Sequence, residues 1–134
     1  MKDIIDIMAH PCVHFGNEPF REIRMPVSPY TTGEKYISIV HCTLPPKSVS
    51  EGHIHNDCDE YIYFDIGGSA KLDDVEYPIP PKGLLHAKAG VKHECINTSE
   101  TEILTLCCIF VPYLKPYGSY PKLIELTNEY LSNI

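Results

Sequence analysis

Between Tyr36 and Pro112 the chain is cut into short apolar segments by proline and glycine, and this punctuation points to β-structure. Pro45-Pro46, Gly67-Gly68, the run Pro78-Ile79-Pro80-Pro81-Lys82-Gly83 and Gly90 each close a segment. Proline cannot donate to a ladder or continue a helix, and glycine accepts turn conformations. The segments between them are rich in β-branched and aromatic residues, as strands are. Strands are expected over 36–44, through His53–His55, over 60–64, in a hairpin of 69–72 with 75–78, and over 84–87, 92–97 and 102–111. The last is apolar at both parities, which predicts cover on both faces. An all-β barrel or sandwich follows.

The ends read differently. Residues 1–10 fit a short helix with Ile4, Ile7 and Met8 on one face, although the isoleucines also suit an edge strand. The stretch 11–29, with Pro11, Pro19, Pro26 and Pro29, reads as an irregular segment anchored by Phe15 and Phe20 that wraps a surface or reaches a second subunit. After a Tyr-, Pro- and Gly-rich stretch, a helix is expected from about Tyr120 to Asn133. Ser119 would be its N-cap, Pro121 would sit in its first turn, and Leu123, Thr127, Tyr130, Leu131 and Ile134 would face the barrel. The expected organisation is one domain: an N-terminal wrapping segment 1–35, a barrel core 36–112, and a tail with helix 113–134.

Composition narrows the partners. With 134 residues, 43% hydrophobic and 22% charged, the chain suits an ordinary globular domain. A net charge of −7, with Arg21 and Arg24 as the only arginines, argues against nucleic acid, which needs clustered Lys and Arg. No run approaches the roughly 18 apolar residues of a membrane span. Asp3 and Asp6 break the first apolar run, so no export signal is read, and the six cysteines form no CxxC pair. A cytoplasmic protein with reduced thiols is the expectation.

The residues that carry chemistry begin at His53-Ile54-His55. In an extended strand, i and i+2 share a face, so the two imidazoles would project together while Ile54 turns away. Four residues then allow a turn that brings Glu60 back beside them, and His93 is a fourth candidate. Imidazole nitrogen and carboxylate oxygen hold divalent transition metals. An HxH pair alone is more often two half-exposed strand histidines; Glu60 and His93 are what turn it into a ligand set.

Together these stretches resemble the two motifs of the cupin superfamily. The first, usually G(x)5HxH(x)3,4E(x)6G, reads here as Lys47-(x)5-His53-x-His55-(x)4-Glu60-(x)6-Gly67. The second, usually G(x)5PxG(x)2H(x)3N, reads as Lys82-(x)5-Lys88-Ala89-Gly90-(x)2-His93-(x)3-Asn97. Lys47 and Lys82 stand where turn glycines are usual, and Lys88 replaces a proline; Gly83, next to Lys82, would let that turn shift by one residue.

The resemblance implies a double-stranded β-helix, the cupin or jelly-roll barrel, with a short C-terminal helix. It also implies one divalent metal (iron, manganese, nickel or zinc) on His53, His55, Glu60 and His93. Ile62 and Phe64 share the parity of Glu60, and Cys95 that of His93, so all three are candidates for the pocket wall. Cys95 reads either as a small buried hydrophobe or as a group near the metal. His86, like His41, reads as a second base or a histidine packed in the wall, and Arg21 and Arg24 as anion-capturing guanidiniums or surface charge, with Arg24 the candidate for the pocket. Tyr61 and Tyr63 should look outward. The function implied is that of a metal-dependent enzyme on a small, anionic, oxygen-rich substrate, of dioxygenase, isomerase or lyase, or decarboxylase type. The alternative is a non-catalytic module that holds a metal or small ligand. Many small cupins pair, so a homodimer is also expected.

Overall fold

The computed structural model describes residues 3–134; Met1 and Lys2, where the expected N-terminal helix would begin, lie outside the described residues. A single 3-10 turn, Ile7–Ala9, buries none of its residues, so the helix expected over 1–10 shrinks to this turn ahead of Pro11. The strands are β1 (Val13–Phe15), β2 (Arg21–Val27), β3 (Ser38–Leu44), β4 (Asp59–Phe64), β5 (Gly68–Leu72), β6 (Val75–Ile79), β7 (Gly83–Ala87), β8 (His93–Ile96) and β9 (Leu104–Val111). They are followed by one helix, α1 (Tyr120–Ser132). Two antiparallel sheets result, in the orders β1-β2-β3-β9-β4-β7 and β6-β5-β8. This is the all-β sandwich with a terminal helix that the punctuation predicts.

β9 is the centre of the larger sheet. It pairs with β3 from Ser38↔Phe110 to Leu44↔Leu104, and with β4 from Asp59↔Val111 to Phe64↔Leu106. Leu104, Leu106, Cys108 and Phe110 point inward and are buried, whereas Thr105, Cys107 and Ile109 are half-buried and Val111 is exposed. The cover expected on both faces is therefore incomplete. The outer face is shielded by cross-strand neighbours, Tyr61 beside Ile109 and Tyr63 beside Cys107, and the apolar outer parity reflects those pairs.

The segment 11–29 differs most from expectation. It supplies β1 and β2, and β2 pairs with β3 through Glu22↔Thr43, Ile23↔Cys42 and Arg24↔His41. Pro26 fits because it sits where the register shifts between Arg24 and Val27, a place that needs no ladder donor. α1 lies against β2 and buries Tyr120, Leu123 and Thr127. Ser119 is not a side-chain cap; its backbone is already helical and its hydroxyl makes no capping bond. Tyr130 and Leu131 are half-buried, but Ile134 lies past the end of the helix and is exposed.

Two turns carry lysines in the left-handed region, Lys47 at φ 60° and Lys82 at φ 61°. The second turn does not shift onto Gly83. Gly83 is needed for space instead: a Cβ there would sit 2.7 Å from the Pro80 carbonyl oxygen. A side chain with a Cβ costs about 1–2 kcal/mol in the left-handed region, so Lys47→Gly and Lys82→Gly should each raise unfolding free energy by about 0.5–1 kcal/mol after the entropy cost of glycine. Urea titration would show it, and unchanged or lower midpoints would refute the strain.

Asn97 fastens the two sheets where β8 ends. Its Nδ2 donates to the carbonyls of Leu44 (3.0 Å), Pro45 (3.0 Å) and Glu102 (2.9 Å), while its Oδ1 accepts from Ser99 N–H at 3.0 Å. The side chain is fully enclosed. Asn97→Ala strands several of these groups and should cost about 2–3 kcal/mol in thermal or urea unfolding.

Candidate metal centre

His53 and His93 exchange both backbone hydrogen bonds, each N···O distance 2.9 Å, so their side chains leave the backbone on the same face. The neighbouring bridge pairs Val49 with Ile96, which puts the two bridges one residue out of register. This slip is why 53–55 forms no continuous strand: Ser50 Oγ takes the Cys95 N–H at 2.8 Å in place of a ladder carbonyl. Past Ile54, which is exposed, the His55 carbonyl accepts the Gly90 N–H at 2.9 Å. Gly90 holds φ 84°, which suits glycine, and so ties the second motif directly to the first.

Glu60 is brought in by β4, and its carboxylate meets the imidazoles between the sheets. His55, Glu60 and His93 are all buried, and one ligand atom from each lies within 4.8 Å of the others. Glu60 Oε1 stands 2.9 Å from His93 Nε2 and 3.5 Å from His55 Nε2. Yet this oxygen, itself buried, makes no well-directed hydrogen bond to either imidazole. A buried, unpaired carboxylate oxygen amid imidazole nitrogens fits a divalent cation. The ring of His53 stands beside this trio, 5.6 Å from that of His93 and 5.9 Å from that of His55. His93 Nδ1 faces the Val91 carbonyl at 3.4 Å, an outer contact that turns Nε2 inward.

Burial alone would push the Glu60 carboxyl up, but His55 and His93 outweigh it and hold the group at about 2. For His93, burial pulls downward and Glu60 more than offsets it, leaving the imidazole raised. His53 is lowered, first by burial and then by the charge of His93.

A cavity of about 40 Å³ adjoins the trio, with Ile62, Cys95, Cys42, Cys108 and Phe110 in its wall. It has room for a bound ion and a few waters. Arg21, Ile23, His53 and Tyr120 line both this cavity and an outer hollow of about 320 Å³, which Phe15 and Tyr117 flank.

Of the wall residues expected from sequence, Ile62 and Cys95 face the cavity and three do not. Phe64 is fully buried one step deeper, opposite Leu106 and Gly83, and leaves the cavity unblocked. His86 is on the outer face. Glu60 pairs with Ala87, so the residue before Ala87 must point outward, where His86 stacks on Tyr61 (4.3 Å) and contacts Asp59 at 2.9 Å. Arg24 also faces outward, donating to the His10 carbonyl at 3.1 Å and to Glu22 at 3.1 Å. Strand parity puts Arg21 and Ile23 inside instead. Reading 11–29 as a strand would have chosen Arg21 over Arg24 for the cavity. Tyr117 and Tyr120 had no signal beyond the aromatic richness of their segment.

No protein-family model matches the chain, and no curated protein matches it in sequence. Solved structures do. A predicted oxalate decarboxylase from Thermotoga maritima is 18% identical, with a TM-score of 0.70 over 81% of this chain and 98% of its own. An RmlC-like cupin from Shewanella frigidimarina is 12% identical, with a TM-score of 0.64 over 84% and 92%. KdgF from a Halomonas species is 14% identical, with a TM-score of 0.62 over 84% and 94%. The fold is that of a small cupin. It contains a buried His-Glu-His group able to hold a metal. Among the described residues, no helix is long and apolar enough to cross a membrane.

Cys95 reads as wall and not as a reactant: it is buried, its thiol is raised by burial, and its backbone is fastened to Ser50. Alkylation of the folded, chelator-treated protein followed by mass spectrometry should leave Cys95 unlabelled and half-exposed Cys12 labelled. Rapid labelling of Cys95 would contradict this.

Proposed function

We propose that the protein is a metal-dependent cupin enzyme acting on a small carboxylate. One divalent ion of the iron, manganese, nickel or zinc group would be held by His55, Glu60 and His93, with His53 completing the set. The observation that carries this reading is Glu60 Oε1, buried and unbonded among imidazole nitrogens. Such an ion, when bound, supplies Lewis acidity toward a carbonyl or carboxylate, or oxygen activation if it is iron.

The chain's own groups define what enters. Arg21, with its guanidinium 5.4 Å from the Phe15 ring centre, stands where the outer hollow meets the cavity. A guanidinium pairs with both oxygens of a carboxylate. The cavity volume restricts the reacting end of the substrate to a few atoms. Tyr117 and Tyr120 are raised by burial, so both phenols stay protonated at neutral pH and are hydrogen-bond donors at the mouth. The likeness to a predicted oxalate decarboxylase agrees with a short dianion.

A non-catalytic binding module is the competing reading. It is favoured by the wall itself: apart from the ligand residues, the cavity's ionisable groups are Arg21, Tyr120 and thiols, among them Cys42, pushed up to about 12 by burial. None is a base at neutral pH.

Elemental analysis of purified protein should find at least one divalent ion per chain, and His55→Ala should hold one equivalent fewer. Calorimetry with oxalate on manganese-loaded protein should show saturable binding that Arg21→Ala weakens by about tenfold or more, the loss of one charged hydrogen-bond pair. Carbon dioxide release or oxygen uptake from oxalate and 2-oxo acids makes it an enzyme; binding without either makes it a module. A protein that takes up no metal refutes the enzyme reading, and one that binds neither metal nor oxalate refutes both.

A further inference from the structure

A second group of metal-binding side chains lies away from the barrel interior, on the outer face of the β1–β2 hairpin. The pairing His14↔Glu22 places imidazole and carboxylate directly opposite each other, with His14 Nε2 3.7 Å from Glu22 Oε2. Cys12, two residues before His14 and just ahead of β1, brings a thiol to them. One ligand atom from each of Cys12, His14 and Glu22 lies within 4.8 Å of the others.

The side chains are braced for this arrangement. Glu22 spends its other oxygen, Oε1, on Arg24 at 3.1 Å, which fixes the carboxylate plane and leaves Oε2 toward the imidazole. The His14 ring stacks on Phe20 at 5.1 Å with 8° between planes, which sets its tilt. Cys12 is half-buried and free. Donors on a tetrahedral zinc stand about 3.5 Å apart, so small side-chain rotations close the set.

We propose that Cys12, His14 and Glu22 form a second, surface zinc site with one open coordination position. Sulfur, nitrogen and oxygen together suit a thiophilic divalent cation, and the thiolate separates this site chemically from the nitrogen and oxygen donors of the barrel centre. Binding releases the Cys12 thiol proton to solvent. The bound ion would pin the residues before β1 to β2, the hairpin that also presents Phe15 and Arg21 to the outer hollow.

Cobalt(II) titration of the full chain tests this, because only a thiolate ligand gives a near-ultraviolet sulfur-to-cobalt charge-transfer band. The band should appear, vanish in Cys12→Ser, weaken in His14→Ala and persist in His55→Ala, whose barrel centre is impaired. His14 is exposed, so His14→Ala keeps the test open if Cys12→Ser folds poorly. Zinc stoichiometry should fall by one equivalent in the same variants. No band, a band that survives Cys12→Ser, full intensity in His14→Ala, or loss in His55→Ala would each overturn the proposal.

Discussion

A carboxylate placed between two hydrophobic sheets dictates much of this structure. Ionised oxygen taken from water costs several kcal/mol unless partners replace the lost hydration. Glu60 meets that demand with two imidazoles, His55 from the irregular segment ahead of β4 and His93 from the start of β8. The reciprocal backbone pair between His53 and His93 and the bond from Gly90 to His55 stitch those two segments together. The same few contacts therefore fix the local backbone and aim the donor atoms.

The rest of the cavity wall is built on another principle. Cys42, Cys95 and Cys108 present thiols that burial keeps protonated, with Val40, Ile62 and Leu106 among them. Charge is thus carried by the ligand residues and by the mouth, where Arg21, Tyr117 and Tyr120 gather. A ligand would meet charge and phenols first, then a low-dielectric wall that strengthens any attraction at its reacting end.

Much of this was legible in the residues. Turn chemistry located β3 to β9 to within a few residues, and the two motifs brought His53, His55, Glu60 and His93 to one neighbourhood. What escaped followed from period 2: where a strand was unrecognised, its parity was lost. Four prolines hid β2, so Arg24 was favoured over Arg21, although one side faces His10 and the other the cavity. His86 failed similarly, since its side depends on the partner register Glu60↔Ala87, which no local pattern records. The lysines at left-handed turns show that the fold's geometry can outlast the glycine that usually marks it.

The position of β9 has a consequence for how the molecule comes into being. The central strand of the larger sheet lies late in the chain, and both β3 and β4 hydrogen-bond to it and not to each other. During synthesis those earlier strands emerge with exposed edges and no template between them. Closure of the sandwich then waits on a single late insertion between two edges already made, a non-local step of the slow kind. Until it happens, the glutamate and histidines of the interior remain in water, and any ion they capture early would be bound by an open chain.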